Sequence, residues 1–226
     1  VKTIESFWSN GAVETAKSIL FILSVLFPVV NPLGGSPIFL SLTRKYPPAT
    51  RKALSRRIAM NSLFLLIGSY LIGNYILSFF GISLPVVQVG GGLIVVSTGW
   101  TMLKRPEEDE RNEVQENVEP HTFHDAFYPL TLPLTVGPGS ISVAITLGAN
   151  AKHHQGASPL GIIAAVIASI LIAISIFLCY GFADKLASML GKTAMSVIMR
   201  LSSFLLICVG VQILWNGASE LLASVR

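Results

Sequence analysis

Charged residues are scarce in this sequence. Asp, Glu, Lys and Arg make up 12% of its 226 residues, against 52% hydrophobic residues, where a soluble domain of average composition carries about 25% charge. An ordinary water-soluble fold is excluded on that ground, and lipid is the expected solvent. Cysteine is nearly missing. Cys179 and Cys208 each lie inside an apolar run with no His or carboxylate beside them, so neither a disulfide framework nor a metal site is indicated. No Asp, Glu or Lys lies well inside any apolar run, and a cationic solute, which would want a carboxylate partner in the membrane, is therefore not expected. A catalytic set is missing too: Ser36, Ser140 and Ser142 have no base within the runs, which argues against an intramembrane enzyme. The net charge of +4 has the sign that suits nucleic acid. Its basic residues sit mainly in the connections between apolar runs, where membrane topology places them, and no nucleic-acid partner is expected.

What the sequence does have is long apolar runs. Six can be laid out, at residues 16–42, 58–80, 85–103, 127–147, 160–182 and 195–214, each near or above the roughly 20 residues that span a bilayer as helix. Glu5 and Glu14 precede the first run and no small-residue cleavage site follows a short core, so that run is expected to stay in the protein. Between the third and fourth runs the chain turns acidic, with Glu107, Glu108, Asp109, Glu110, Glu113, Glu116 and Glu119, the composition of a solvated linker. The expected fold is an all-α polytopic membrane protein of six transmembrane helices. It divides into a first three-helix repeat at 1–103, a charged cytoplasmic linker at 104–125 and a second three-helix repeat at 126–226. Arg44, Lys45, Arg51, Lys52, Arg56, Arg57, Lys104, Arg105, Arg111, Lys185 and Lys192 fall on one side of such a fold, and Lys2, Lys17, Lys152 and Arg226 on the other. The bias toward cytoplasmic Lys and Arg puts both termini outside a cell inner (plasma) membrane. Trp100 and Trp215, near run ends, read equally well as interfacial anchors or as packing residues.

The halves share a pattern of proline. Phe27-Pro28-Val29-Val30-Asn31-Pro32-Leu33-Gly34-Gly35-Ser36-Pro37 aligns with Tyr128-Pro129-Leu130-Thr131-Leu132-Pro133-Leu134-Thr135-Val136-Gly137-Pro138, and all three prolines coincide. A weaker echo sets Gly90-Gly91-Gly92 of the third run against Ser202-Ser203-Phe204 of the sixth. Three spans per half is an odd number, so the second copy enters the membrane from the opposite side and the repeat is inverted. Matching proline- and glycine-broken segments in two halves point to a transporter's central site. Proline removes a backbone donor and clashes with the preceding turn, and the freed polar groups survive in a membrane only when buried in protein or lining a cavity. Asn31-Pro32, Ser36-Pro37 and Gly137-Pro138 each read as a helix restart with proline at the first position. The N–H groups of a helix start suit a carboxylate, and the carbonyls near Val29 and Val30 suit an ammonium, so a zwitterion fits both. The candidate substrate-binding residues are Asn31, Gly34, Gly35, Ser36, Thr135, Gly137, Gly139 and Ser140. Gly90, Gly91 and Gly92 read as close-packing residues before substrate contacts.

Asn31-Pro32-Leu33-Gly34 with Pro37, and Gly137-Pro138-Gly139-Ser140, resemble the MarC family of bacterial and archaeal membrane proteins. The likeness covers essentially the whole chain, including the order of six runs, the charged linker and the Arg200-Leu201 start of the last run; Ser140 stands where many relatives carry threonine. It implies transport of small neutral amino acids such as glycine and alanine; a non-transporting structural or regulatory membrane protein, or an exporter of another small polar metabolite, is the alternative. No cofactor is expected, and H+ and Na+ are the coupling ions to test. No intramembrane acid or histidine offers a proton relay. Arg200 stands as an interhelical anchor or part of a gate, and His121, His124, His153 and His154 sit in connections. The expected partners are the bilayer and a small solute; the oligomeric state is not written in the sequence.

Overall fold

A backbone surrounded by lipid must satisfy its N–H and C=O groups internally, so an apolar chain of this kind is driven into helices. The computed structural model describes residues 2–104, 126–155 and 159–224, and among these every regular element is helical. The linker expected at 104–125 falls outside the described residues beyond Lys104, with His121 and His124, as do the side chains of His153 and His154.

The first half comprises α1 (Lys2–Val30), α2 (Pro32–Leu42), α3 (Pro48–Phe79) and α4 (Leu84–Lys104). The second comprises a π-helical turn (Leu130–Thr135), α5 (Pro138–Gln155), α6 (Pro159–Gly181) and α7 (Ala183–Ser224). Among the described residues, five stretches are long and apolar enough to cross a membrane: Val13–Leu42, Pro48–Phe79, Leu84–Lys104, Pro159–Gly181 and Ser196–Ser224. The chain is thus a multi-pass membrane protein. The remaining run, 127–147, does not qualify as one helix because it is split between the π turn and α5. Several boundaries also move, α1 starting at Lys2 and α7 at Ala183 rather than at 16 and 195. α3 begins at Pro48, ten residues before its apolar run, because proline suits the first helical position and the basic residues after it continue a helix readily. α7 extends to Ser224, past the end expected at 214, and is kinked at Gly191, whose φ of 70° only glycine adopts cheaply.

Helix ends are closed locally. Thr43 donates its hydroxyl to the Phe39 carbonyl at 2.6 Å after α2. Gly81, at φ 67°, turns the chain after α3 while Ile82 N–H bonds back to the Leu77 carbonyl at 2.9 Å.

Packing fixes the direction of each helix. Gly92 meets Gly210, Gly99 meets Ser203, and Gly217 meets Pro85, so α4 and α7 run antiparallel along a seam of small residues that lets backbones touch. Gly91 packs on Ser142, while Gly90 faces open space. Ser55 near the start of α3 lies against Gly181 at the end of α6, which makes that pair antiparallel as well. Thr131 pairs with Asn61, and Gly148 with Tyr70, so the π turn and α5 run along α3 in the same sense. Ile22 and Gly161 share a cleft and Phe39 stacks on Tyr180, so α1 and α2 run along α6 in the same sense. The core between these helices holds Ile22, Leu26, Leu54, Ile58, Leu66, Ile172 and Ile176 with the small Ala164, Ala165 and Ala168. Large apolar residues such as Phe64 and Phe79 point outward, as lipid permits. Trp100 and Trp215 are exposed too, with Lys104 Nζ 4.7 Å from the Trp100 ring.

Candidate functional site

Between α1 and α2 the break is a single residue. Asn31 sits at φ 48°, ψ 60°, the left-handed region that asparagine tolerates better than other residues with a Cβ. Its backbone N–H still reaches the Phe27 carbonyl at 2.9 Å, and its carbonyl accepts from Gly35 N–H at 2.9 Å, so the helix resumes at once. The side-chain Oδ1 accepts from Gly34 N–H at 3.1 Å, replacing the carbonyl that N–H would have used in an unbroken helix. Gly34 is required there, since a Cβ would collide with the Asn31 amide. What is left over is the Asn31 Nδ2 donor, buried and without a hydrogen-bond partner among the described residues. Ser36 is completely buried, and its hydroxyl likewise has no partner among them. The Ser36-Pro37 restart does not occur: Pro37 lies inside α2, because the Asn31 cap has already restarted the helix.

The second break is broader. Leu132 is non-helical at φ −107°, ψ 127°, Val136 is extended, and the helix restarts at Pro138. Here the stretched backbone is repaired from within. Thr131 donates its hydroxyl to the Ala126 carbonyl at 2.6 Å and Thr135 to the Leu130 carbonyl at 2.7 Å. Val136 N–H returns to the Thr131 carbonyl at 2.9 Å. Gly137 accepts from Ile141 N–H at 3.1 Å as α5 begins. Gly139 packs against Val95 of α4, and Ser140 is buried beside it in the chain.

Tyr180, near the end of α6, joins the two breaks. Its hydroxyl is 3.1 Å from Thr135 Oγ1. Thr135 has already given its one proton to Leu130, so Tyr180 is the donor of that bond. On the other side the same hydroxyl abuts Gly35, where a Cβ would strike it. The ring stacks on Phe39 with centroids 4.7 Å apart and is wholly buried. Gly35 and Thr135 are thereby brought together through one aromatic side chain, with Asn31, Gly34 and Ser36 adjoining Gly35 along the chain. Gly139 faces α4 instead, and Arg200 is exposed near the start of the Ser196–Ser224 span.

Among the described residues, the groups that meet at this junction are amide, hydroxyl and backbone dipoles, with no charged side chain among them. Two clefts open elsewhere, one of about 540 Å³ near Arg56 and Asn61 and one of about 290 Å³ near Tyr70 and Asn150; the candidate residues line neither. Sequence reasoning missed Tyr180, because a tyrosine closing an apolar run reads as an interface anchor. It also missed Ser62 and Gln88, both buried with a side-chain oxygen that has no partner. The available signal was their polarity inside otherwise apolar runs.

Comparison with known proteins places this architecture. Residues 16–222 match the family described as MarC family integral membrane protein. The inner membrane protein MarC of Salmonella typhimurium is 33% identical over 213 residues, covering 91% of this chain and 96% of that protein. The membrane protein YvbG of Bacillus subtilis is 33% identical over 207 residues, covering 88% and 93% respectively. No solved structure matches the chain. With a match across nearly its full length and relatives of this similarity, the chain belongs to the MarC family of integral membrane proteins.

Proposed function

We propose that the protein is a transporter of small neutral amino acids, glycine- or alanine-like, working by alternating access around the junction of its two broken helices. The observation that carries this reading is the Asn31 amide, a buried donor without a partner at a helix break that Tyr180 ties to the second break. A buried amide donor left unpaired costs about 1–3 kcal/mol, and a solute carboxylate would satisfy it. The Ser36 hydroxyl, five positions along the same chain segment, offers a second contact. With no carboxylate at the junction among the described residues, a neutral zwitterion suits it better than a cation.

The fold that would do this is six spans in two inverted three-helix repeats, with both termini outside and no catalytic step or cofactor. Helix directions support it: α1 and α2 follow α6, the π turn and α5 follow α3, and α3 opposes α6. The broken segments of the two halves therefore run opposite ways. The seam of α4 and α7 supports it again, because Gly92 stands to Ser203 as Gly99 stands to Gly210, and the contacts exchange: Gly92 meets Gly210 while Gly99 meets Ser203. On the inverted-repeat reading, Gly92 would then correspond to Ser203, one residue from the Gly91–Ser203 pairing expected from the sequence.

One observation favours a different reading. Tyr180 fills the space between the breaks, as it would in a membrane protein that holds a fixed shape and moves nothing. Purified protein in sealed vesicles separates the two. Uptake or exchange of labelled glycine, alanine or serine under a proton or sodium gradient is expected, and none under either gradient would end the transport reading.

A further inference from the structure

We infer that the cleft of about 540 Å³ at the start of α3 binds the phosphate head group of an anionic membrane lipid. Arg56, Arg57 and Asn61 of α3 supply the polar side chains of its lining among the described residues. Guanidinium forks match phosphate oxygens in geometry as well as charge. Both arginines are exposed, and they stand just before Ile58, where the apolar run of α3 begins. That is the level of lipid head groups in a spanning helix. Met60 and Phe127, also lining the cleft, are 45% and 48% exposed and give an acyl chain an apolar path away from the arginines. The volume falls in the range of about 300–1,000 Å³ used by ligands of drug size, which suits a head group with its glycerol better than a three-carbon solute.

The cleft is wired to the second break. Asn61 Nδ2 donates to Thr131 Oγ1 at 3.3 Å, and Thr131 in turn holds the Ala126 carbonyl, itself part of the cleft wall. A lipid seated on Asn61 and the arginines therefore touches the side chain that reaches the π turn. The assignment holds whichever solute the protein carries.

Native mass spectrometry of the purified chain, given phosphatidylglycerol or phosphatidylcholine, tests it. Phosphatidylglycerol should be retained preferentially. Arg56→Gln with Arg57→Gln should weaken that retention by about fivefold for each arginine, while Arg44→Gln with Lys45→Gln should leave it unchanged. Equal retention of phosphatidylcholine, or full retention by the Arg56/Arg57 variant, overturns the proposal. Displacement of the lipid by an equal concentration of glycerol phosphate makes the cleft a site for free anions and also overturns it. Should the double variant not fold, photoactivatable phosphatidylglycerol on the unaltered chain decides: labelling at Met60 or Phe127 upholds the site, and labelling confined elsewhere removes it.

Discussion

The two helix breaks solve one problem in different ways. Both arise from proline inside an apolar run, yet the first is closed by one asparagine and ends with a donor unspent, whereas the second is closed by two threonine hydroxyls. Proline spacing is common to both halves, but residue chemistry at the gaps is not. A hydroxyl has one proton, and in Thr131 and Thr135 it goes to a main-chain carbonyl. A carboxamide has two, and neither proton of Asn31 finds an acceptor among the described residues. On the proposed transport reading, the first break would meet the solute and the second would stay put while it does.

The most damaging test of this division strikes the point where the breaks touch. Gly35→Ala adds a Cβ against the Tyr180 hydroxyl, which cannot swing away because its ring is stacked on Phe39 and buried. Overpacking of this kind costs about 1–3 kcal/mol, read as a lowered Tm of the detergent-solubilised protein, and uptake should be lost. In the Tyr180→Phe background the colliding oxygen is gone and the cost should fall, with coupling of about 1 kcal/mol between the two sites. Additive effects would mean that the breaks do not meet through this contact.

Thr135→Val tests the self-repair of the second break. It removes the hydroxyl that donates to the Leu130 carbonyl and accepts from Tyr180, leaving the buried Tyr180 hydroxyl without that acceptor at nearly constant volume. A loss of about 1–3 kcal/mol is expected. A Tm equal to that of the unaltered protein would show that the hydroxyl holds nothing.

How far the sequence could be read follows from the range of the interactions involved. The helical runs and the interruption of one run in each half are local consequences of composition and proline, and they were legible. The length of α3 was not, since a helix that leaves the membrane has no apolar signature over its basic turns. Ser36-Pro37 looks like a restart as plainly as Asn31-Pro32 does, and what decides between them is a bond from Gly34 to Asn31 Oδ1 that sequence does not display. Tyr180 lies 45 positions from Thr135, a pairing set by how α6 packs and invisible to any local pattern. Grouping Asn31, Gly34, Gly35, Ser36 and Thr135 was possible because the repeated prolines mark equivalent depths. Gly139 carried the same mark, yet it packs on Val95.

Asn31 itself can be split into its two roles. Asn31→Ala loses the cap on Gly34 at about 0.5–2 kcal/mol, and should lower both Tm and uptake. Asn31→Asp keeps an oxygen for Gly34 N–H and removes the spare donor, so Tm should be largely kept while uptake falls. Equal uptake by the Asp variant would reduce Asn31 to a cap.

The smallest effect belongs to Asn61→Ala. Asn61 reaches Thr131 at 3.3 Å from outside the second break, but Thr131 is already held by its own 2.6 Å bond to the Ala126 carbonyl. Removing a long, partly exposed hydrogen bond should cost about 0.5 kcal/mol, because the partner left behind keeps its main interaction. If the second break is as self-sufficient as its threonines imply, Tm will move by less than in Thr135→Val and the rate of solute uptake will stay near that of the unaltered protein. A loss as large as that of Thr135→Val would mean that α3 braces the π turn from outside, and the contrast between an internally closed break and an open one would then give way to two breaks that each depend on a neighbouring helix.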